Sequence, residues 1–184
     1  MKANPDDPRY RASLHRNGVI LAQAYLAEQR HAEAATLALR VAKVAPSDLR
    51  GACDGYTLLV RCIPVAAVDR ELSESARKTV AQKYTEQARA LLRKGARSGK
   101  DPTAALNDLA WFLTTNPNRV VRDPVLAVEF AQEATRRAPD RAALWNTLGV
   151  AHYRAGAWKE ARAALEISMQ LGEGGSGGIG CSWP

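Results

Sequence analysis

Apolar residues recur along most of this chain at helical spacing, and polar or proline-bearing breaks cut the pattern into segments. Asp7 followed by Pro8 marks a helix start, with Asp7 as N-cap and Pro8 in the first turn, where a missing N–H leaves nothing unpaired. That helix carries Leu14, Leu21, Ala22 and Tyr25 on one face, the face expected to be buried. After a turn at Glu28 to His31, a partner helix shows Ala34, Ala38 and Val41 before Pro46 stops it. The third helix holds Ala52, Tyr56 and Leu59, and Pro64 is expected to kink or end it by removing a backbone donor. Asp69 to Ser73 reads as loop, with Ser73 or Ser75 as cap for a long helix to about Ala96 that turns Tyr84, Ala88, Leu91 and Leu92 inward. Asp101-Pro102 opens a fifth helix with Leu106, Leu109, Ala110 and Leu113 inward, and Asn116-Pro117-Asn118 ends it. Asp123-Pro124 opens a sixth, carrying Ala127, Ala131 and Ala134. A last pair begins at Ala142, with Trp145, Leu148 and Gly149 on one helix and Ala161 and Leu165 on the next.

Gly18, Leu21, Ala22, Tyr25, Ala34, Ala38 and Pro46 share one register, which defines a 34-residue unit over 15–48, preceded by a loop and helix start over 1–14. The register continues through 49–102 with a long insertion, 103–141 with a five-residue insertion, and 142–171, leaving 172–184 as a Gly-rich tail that is disordered by composition. Gly149 and Ala161 let the two helices of a hairpin approach closely, while Trp145 and Leu165 fill the space beside them. One hairpin cannot bury its own apolar face, so neighbours should stack on it.

Trp145-x-x-Leu148-Gly149, then Ala155-Gly156-x-Trp158-x-Glu160-Ala161 and Leu165, resemble a tetratricopeptide (TPR) repeat. In this copy His152 takes the aromatic slot and Glu173 replaces the terminal Pro. The resemblance implies an all-α, right-handed superhelix of four helical hairpins whose first helices line a concave groove. Its slots direct Val19, Gln23, Arg50, Thr57, Asn107, Trp111, Asn146, Val150 and Tyr153 into that groove and put Trp145 and Trp158 in the core. Asn107 and Asn146 hold equivalent slots, where an amide either reads an extended peptide backbone or bonds across neighbouring repeats. The slots that clamp a C-terminal carboxylate in some TPR domains lack their cations here, which disfavours a chaperone-tail receptor.

Leu106 to Leu113, Val121-Arg122-Asp123-Pro124 and Trp145 to Trp158 are also similar to TPR regions of planctomycete-type proteins, many of which follow a eukaryotic-like Ser/Thr kinase domain. This chain carries no glycine-rich kinase loop, H-R-D or D-F-G, so kinase activity is not implied.

Composition narrows the chemistry further. No apolar run is long enough to span a bilayer, and the start Met1-Lys2-Ala3-Asn4-Pro5-Asp6-Asp7 lacks the apolar centre of a signal peptide, which makes a cytoplasmic location the expectation. Cys53, Cys62 and Cys181 form no C-x-x-C pair, and His15, His31 and His152 have no second ligand at metal spacing, so no metal, cofactor or catalytic site is expected. Gly95 to Asp101 approaches a phosphate-loop pattern but follows a helix instead of a strand, and a helix-ending glycine accounts for it better. Net charge is +7, concentrated between Arg77 and Lys100, where Arg89, Arg93 and Arg97 form an i, i+4 row. Without interleaved aromatics that row is expected to be a solvated face, and nucleic acid a poor partner.

The expectation is therefore a non-enzymatic interaction scaffold or adaptor that binds a peptide or helix. The alternative is a regulatory or docking segment separated from a kinase-type signalling protein. Self-association through an uncapped last helix is a further expectation, since no polar capping helix follows Leu171.

Overall fold

The computed structural model describes residues 7–45, 47–98 and 100–174. Two compact units divide at Lys100 and Asp101. The first holds α1 (Pro8–Ala27), α2 (His31–Val44), α3 (Asp48–Ala67) and α4 (Glu74–Arg97). The second holds α5 (Pro102–Thr115), a 3-10 turn (Arg119–Val121), α6 (Pro124–Arg137), α7 (Ala142–Arg154) and α8 (Trp158–Gly174). Among the described residues there is no strand, and no helix is long and apolar enough to cross a membrane.

Short polar side chains set the helix starts. Asp7 Oδ1 accepts from the Arg9 amide at 2.8 Å, Ser47 from Arg50 at 3.2 Å, Ser73 from Ala76 at 3.2 Å, and Asp123 from Leu126 at 3.1 Å. Each satisfies an amide that the first helical turn leaves orphaned. Asp101 Oδ1 serves two, those of Thr103 and Ala104.

Within each unit consecutive helices pack antiparallel as hairpins and stack on the next pair: α1 on α2, α2 on α3 and α3 on α4, then α5 on α6, α6 on α7 and α7 on α8. First helices also meet, α1 with α3 and α5 with α7. The cores are built largely from alanine and leucine. Ala22, Ala34, Ala38, Leu59, Ala88 and Leu92 are fully buried in the first unit, as are Leu109, Leu113, Ala127 and Ala134 in the second. Alanine at the crossings keeps helix axes close, and leucine fills the flanking volume.

Several expectations are corrected. Leu14 and Leu21 lie 44% and 47% exposed, whereas Ala22 is buried as expected, Tyr25 is half-buried, and His15 and Leu26 complete the inward face of α1. Gly18 faces α2, where an added Cβ would lie 2.8 Å from Val41 Cγ2, while His15 turns to Asp54 of α3. Pro64 does not end α3, which continues to Ala67. Its ring lies on the exposed side of the last turn, and its one missing amide forgoes only the bond to the Val60 carbonyl while the helix runs on for three residues. The glycine expected to end the helix within Gly95 to Asp101 is not Gly95, and Gly99, next after the C-cap Ser98, lies outside the described residues. Gly95 is buried inside α4, where an added Cβ would come 2.7 Å from Ala52 Cβ.

Trp158 is not core either. It opens α8 at 61% exposure, edge-on to Tyr153 at 5.1 Å between ring centroids. Trp145 is half-buried, and its indole Nε1–H donates to the Pro139 carbonyl at 2.7 Å. The tail begins later than expected, because α8 takes in Gly172, Glu173 and Gly174. The rest of the expected tail, 175–184, lies outside the described residues, as do 1–6, the helix-stopping Pro46, and Gly99.

Candidate functional site

Two surfaces collect the residues expected in a groove, one in each unit. In the first unit α3 presents Arg50, Asp54, Thr57 and Arg61 at i, i+4, i+7 and i+11, which is one stripe of a helix. Against its N-terminal half α1 sets His15, Arg16, Val19 and Ile20, and together these enclose a hollow of about 330 Å³. His15 forms the floor at 6% exposure, its Nε2 lying 3.1 Å from Asp54 Oδ2. Arg50 Nε donates to the same oxygen at 3.2 Å. Gln23 is exposed further along α1. The Thr57 hydroxyl donates to the Cys53 carbonyl at 2.8 Å, so its proton is already committed to its own helix.

In the second unit the pattern is aromatic. Trp111 on α5 is 44% exposed and Tyr153 on α7 55% exposed. Asn146 is exposed on α7, one turn before the half-buried Val150. Asn107 sits one turn before Trp111, with its Oδ1 buried and without a donor among the described residues. An acceptor left in that state costs about 1–3 kcal/mol until a donor is supplied. Neither Asn makes a side-chain hydrogen bond among the described residues, so of the two roles open to them the bond across neighbouring repeats is not formed there.

The basic row on α4 is a mixed surface. Arg93 and Arg97 are exposed and Arg89 is half-buried, while Arg89 and Arg93 are both already engaged with neighbours.

One polar cluster was not anticipated from the sequence. His31 at the start of α2 is buried, with Nδ1 2.8 Å from the Tyr84 hydroxyl of α4 and Nε2 3.0 Å from Asp69 Oδ2 in the α3–α4 loop. The Glu71 amide, and after it His31, hold the Asp69 carboxyl below its usual range. Burial pushes the Tyr84 hydroxyl up to about 12. Asp69, Tyr84 and His31 are 15 to 53 residues apart in sequence, and only the long α3–α4 hairpin brings them together. The cluster ties α2 to the second hairpin and has no opening of its own at the buried His31 and Tyr84 rings.

Cys62 is equally closed off. Its thiol is fully buried, donates to the Leu58 carbonyl at 3.2 Å, and is raised by burial from 9.0 to about 12. Because the thiolate is the nucleophile, each unit of that rise costs about a factor of ten in reactive species. With Cys53→Ser and Cys181→Ser in place, the remaining thiol should stay unmodified by a disulfide reagent at neutral pH and react fully once denaturant unfolds the chain. Reaction of the native chain within minutes would contradict its burial. Among the described residues no group of three His, Cys, Asp or Glu is arranged to hold a metal. No family model and no curated protein matches the chain.

Proposed function

We propose that the chain is a protein–protein interaction scaffold of the tetratricopeptide type, its four hairpins presenting their first helices to a peptide or helix from another protein. The observation that carries this reading is the surface of α5 and α7, where Trp111 and Tyr153 stand 44% and 55% exposed near the half-buried Asn107 and Val150. Exposed aromatics serve an interface well, because each adds a large rigid contact area at little entropic cost and such residues dominate measured binding energies. Asn107 and Asn146 supply amides that both donate and accept, which suits the main chain of an extended segment.

The experiment is to capture a partner from native lysate, purify it, and measure its affinity for the wild type and for Trp111→Ala with Tyr153→Ala. The double variant should bind at least about thirtyfold more weakly, the loss expected when an anchor worth roughly 2 kcal/mol is removed. Its helicity should not change, since both side chains are substantially exposed. Asn107→Ala with Asn146→Ala should weaken the same partner by a smaller factor. Unaltered affinity in the aromatic variant would remove this surface from the reading.

A further inference from the structure

The hollow between α1 and α3 carries an imbalance of charge with a defined direction. Among the described residues of α1 there is no Asp or Glu, and Arg9 and Arg16, seven residues apart, share the face that borders the hollow. Asp54 is the one carboxylate lining it, and its Oδ2 accepts from Arg50 Nε at 3.2 Å, with the buried His15 Nε2 3.1 Å away but in no hydrogen bond among the described residues. Asp48, the other acid of α3, lines a separate hollow of about 300 Å³ on the opposite side, beside Lys43 and Lys94. The cations, by contrast, point outward. The Arg50 side chain is 68% exposed and uses only Nε on Asp54, while Arg16 is exposed and has no carboxylate partner among the described residues. Arg61 continues the stripe on α3.

We propose that this α1–α3 face binds an acidic segment of a partner protein, with a carboxylate side chain of that segment held between the guanidinium groups of Arg16 and Arg50. An adjacent apolar residue of the segment lies on Val19 and Ile20. Ile20 is 59% exposed at the edge of the hollow, a position that gains by being covered. The Arg50 fork keeps its terminal nitrogens for a planar carboxylate, which matches that donor geometry better than a point charge would. Asp54 holds Arg50 from behind through Nε, so that side of the guanidinium is set before the ligand arrives. Among the described residues the lining holds no Phe, Tyr or Trp, the His15 imidazole lies on the floor at 6% exposure, and Val19 and Ile20 add apolar surface, which favours a peptide over a nucleic acid as the polyanion. This inference rests on the interaction-scaffold reading and names the chemistry of what the first unit takes.

The test uses the full chain, a fluorescein-labelled peptide of alternating Glu and Leu, its counterpart with Gln at every Glu, and single-stranded oligo-dT, compared by fluorescence anisotropy at low salt. The acidic peptide should bind at least about tenfold more tightly than the Gln peptide. Arg16→Gln with Arg50→Gln should erase that preference. Arg97→Gln with Lys100→Gln, which removes the same net charge elsewhere, should leave it intact. Equal binding of the two peptides overturns the proposal, as does a preference that survives in the Arg16 and Arg50 variant or disappears in the Arg97 and Lys100 control. Oligo-dT binding more tightly than the acidic peptide and displacing it would assign the face to nucleic acid instead. The Trp111 and Tyr153 double variant is assayed alongside with the captured partner. Loss of that partner without any acidic preference in the wild type would sink this inference alone and leave the scaffold reading standing.

Discussion

Replacing Gly51 with Ala should destabilise the first unit, although alanine is the better helix former by about 1 kcal/mol. The reason is the neighbour that the new methyl would meet. A Cβ at Gly51 would lie 2.4 Å from the Ala42 carbonyl oxygen and 2.9 Å from Ala45 Cβ, so the obstacle is the backbone of α2 itself. A side chain could rotate away, whereas a helix axis must shift and loosen contacts along its length. The net loss should be about 1–3 kcal/mol, read as a lower midpoint in thermal or denaturant unfolding of the full chain. The sign decides the matter. If Gly51→Ala raised stability, propensity would outweigh packing, and the close approach of α2 to α3 could not be as described.

Gly149→Leu should have the largest effect in the second unit. An added Cβ there would fall 2.5 Å from Leu165 Cγ and 3.2 Å from the Ala161 carbonyl, and the three further carbons of leucine have no room between α7 and α8. Overpacking of this kind costs about 1–3 kcal/mol and occasionally more, which should unfold the last hairpin. Here the main obstacle is a side chain, so compensation is available. Gly149→Leu combined with Leu165→Ala nearly conserves volume and should recover a substantial part of the loss, an interaction that a double-mutant cycle measures directly. Hydrogen exchange on α7 and α8 reports the change locally. Full protection of both helices in the single variant would contradict the crossing at Gly149.

The contrast between these two glycines bears on what the sequence could reveal. Gly149 was legible because Leu148, Ala161 and Leu165 surround it at intervals that repeat elsewhere in the chain. The helix starts at Pro8, Glu74, Pro102 and Pro124 were legible for a local reason, since a cap and its amide are neighbours in sequence. Periodicity misplaced the buried face of α1, where apolar Leu14 and Leu21 outbid a histidine. His15 goes inward with its Nε2 3.1 Å from Asp54 Oδ2 across the α1–α3 contact, and a residue 39 positions away leaves no mark on local hydrophobicity. Trp158 was misassigned on the same footing, since a large ring reads as core until Tyr153 is seen to meet it at the surface. Of the groove residues, Val19 and Arg50 do come together at one hollow, and Trp111 and Tyr153 stand on adjoining helices. Arg16, which borders that hollow beside Arg50, was passed over because a single cation on a polar helix face carries no signal before the opposite helix is placed.

The contacts of His31 fix which of its ring nitrogens carries hydrogen. Asp69 accepts only, so Nε2 must be the donor; in the neutral ring Nδ1 then receives the Tyr84 proton. Three side chains from α2, α4 and the loop before it thus form one directed chain of donors, in which an apolar residue at 31 would strand both neighbours, while one at 69 or 84 would strand a single nitrogen of His31.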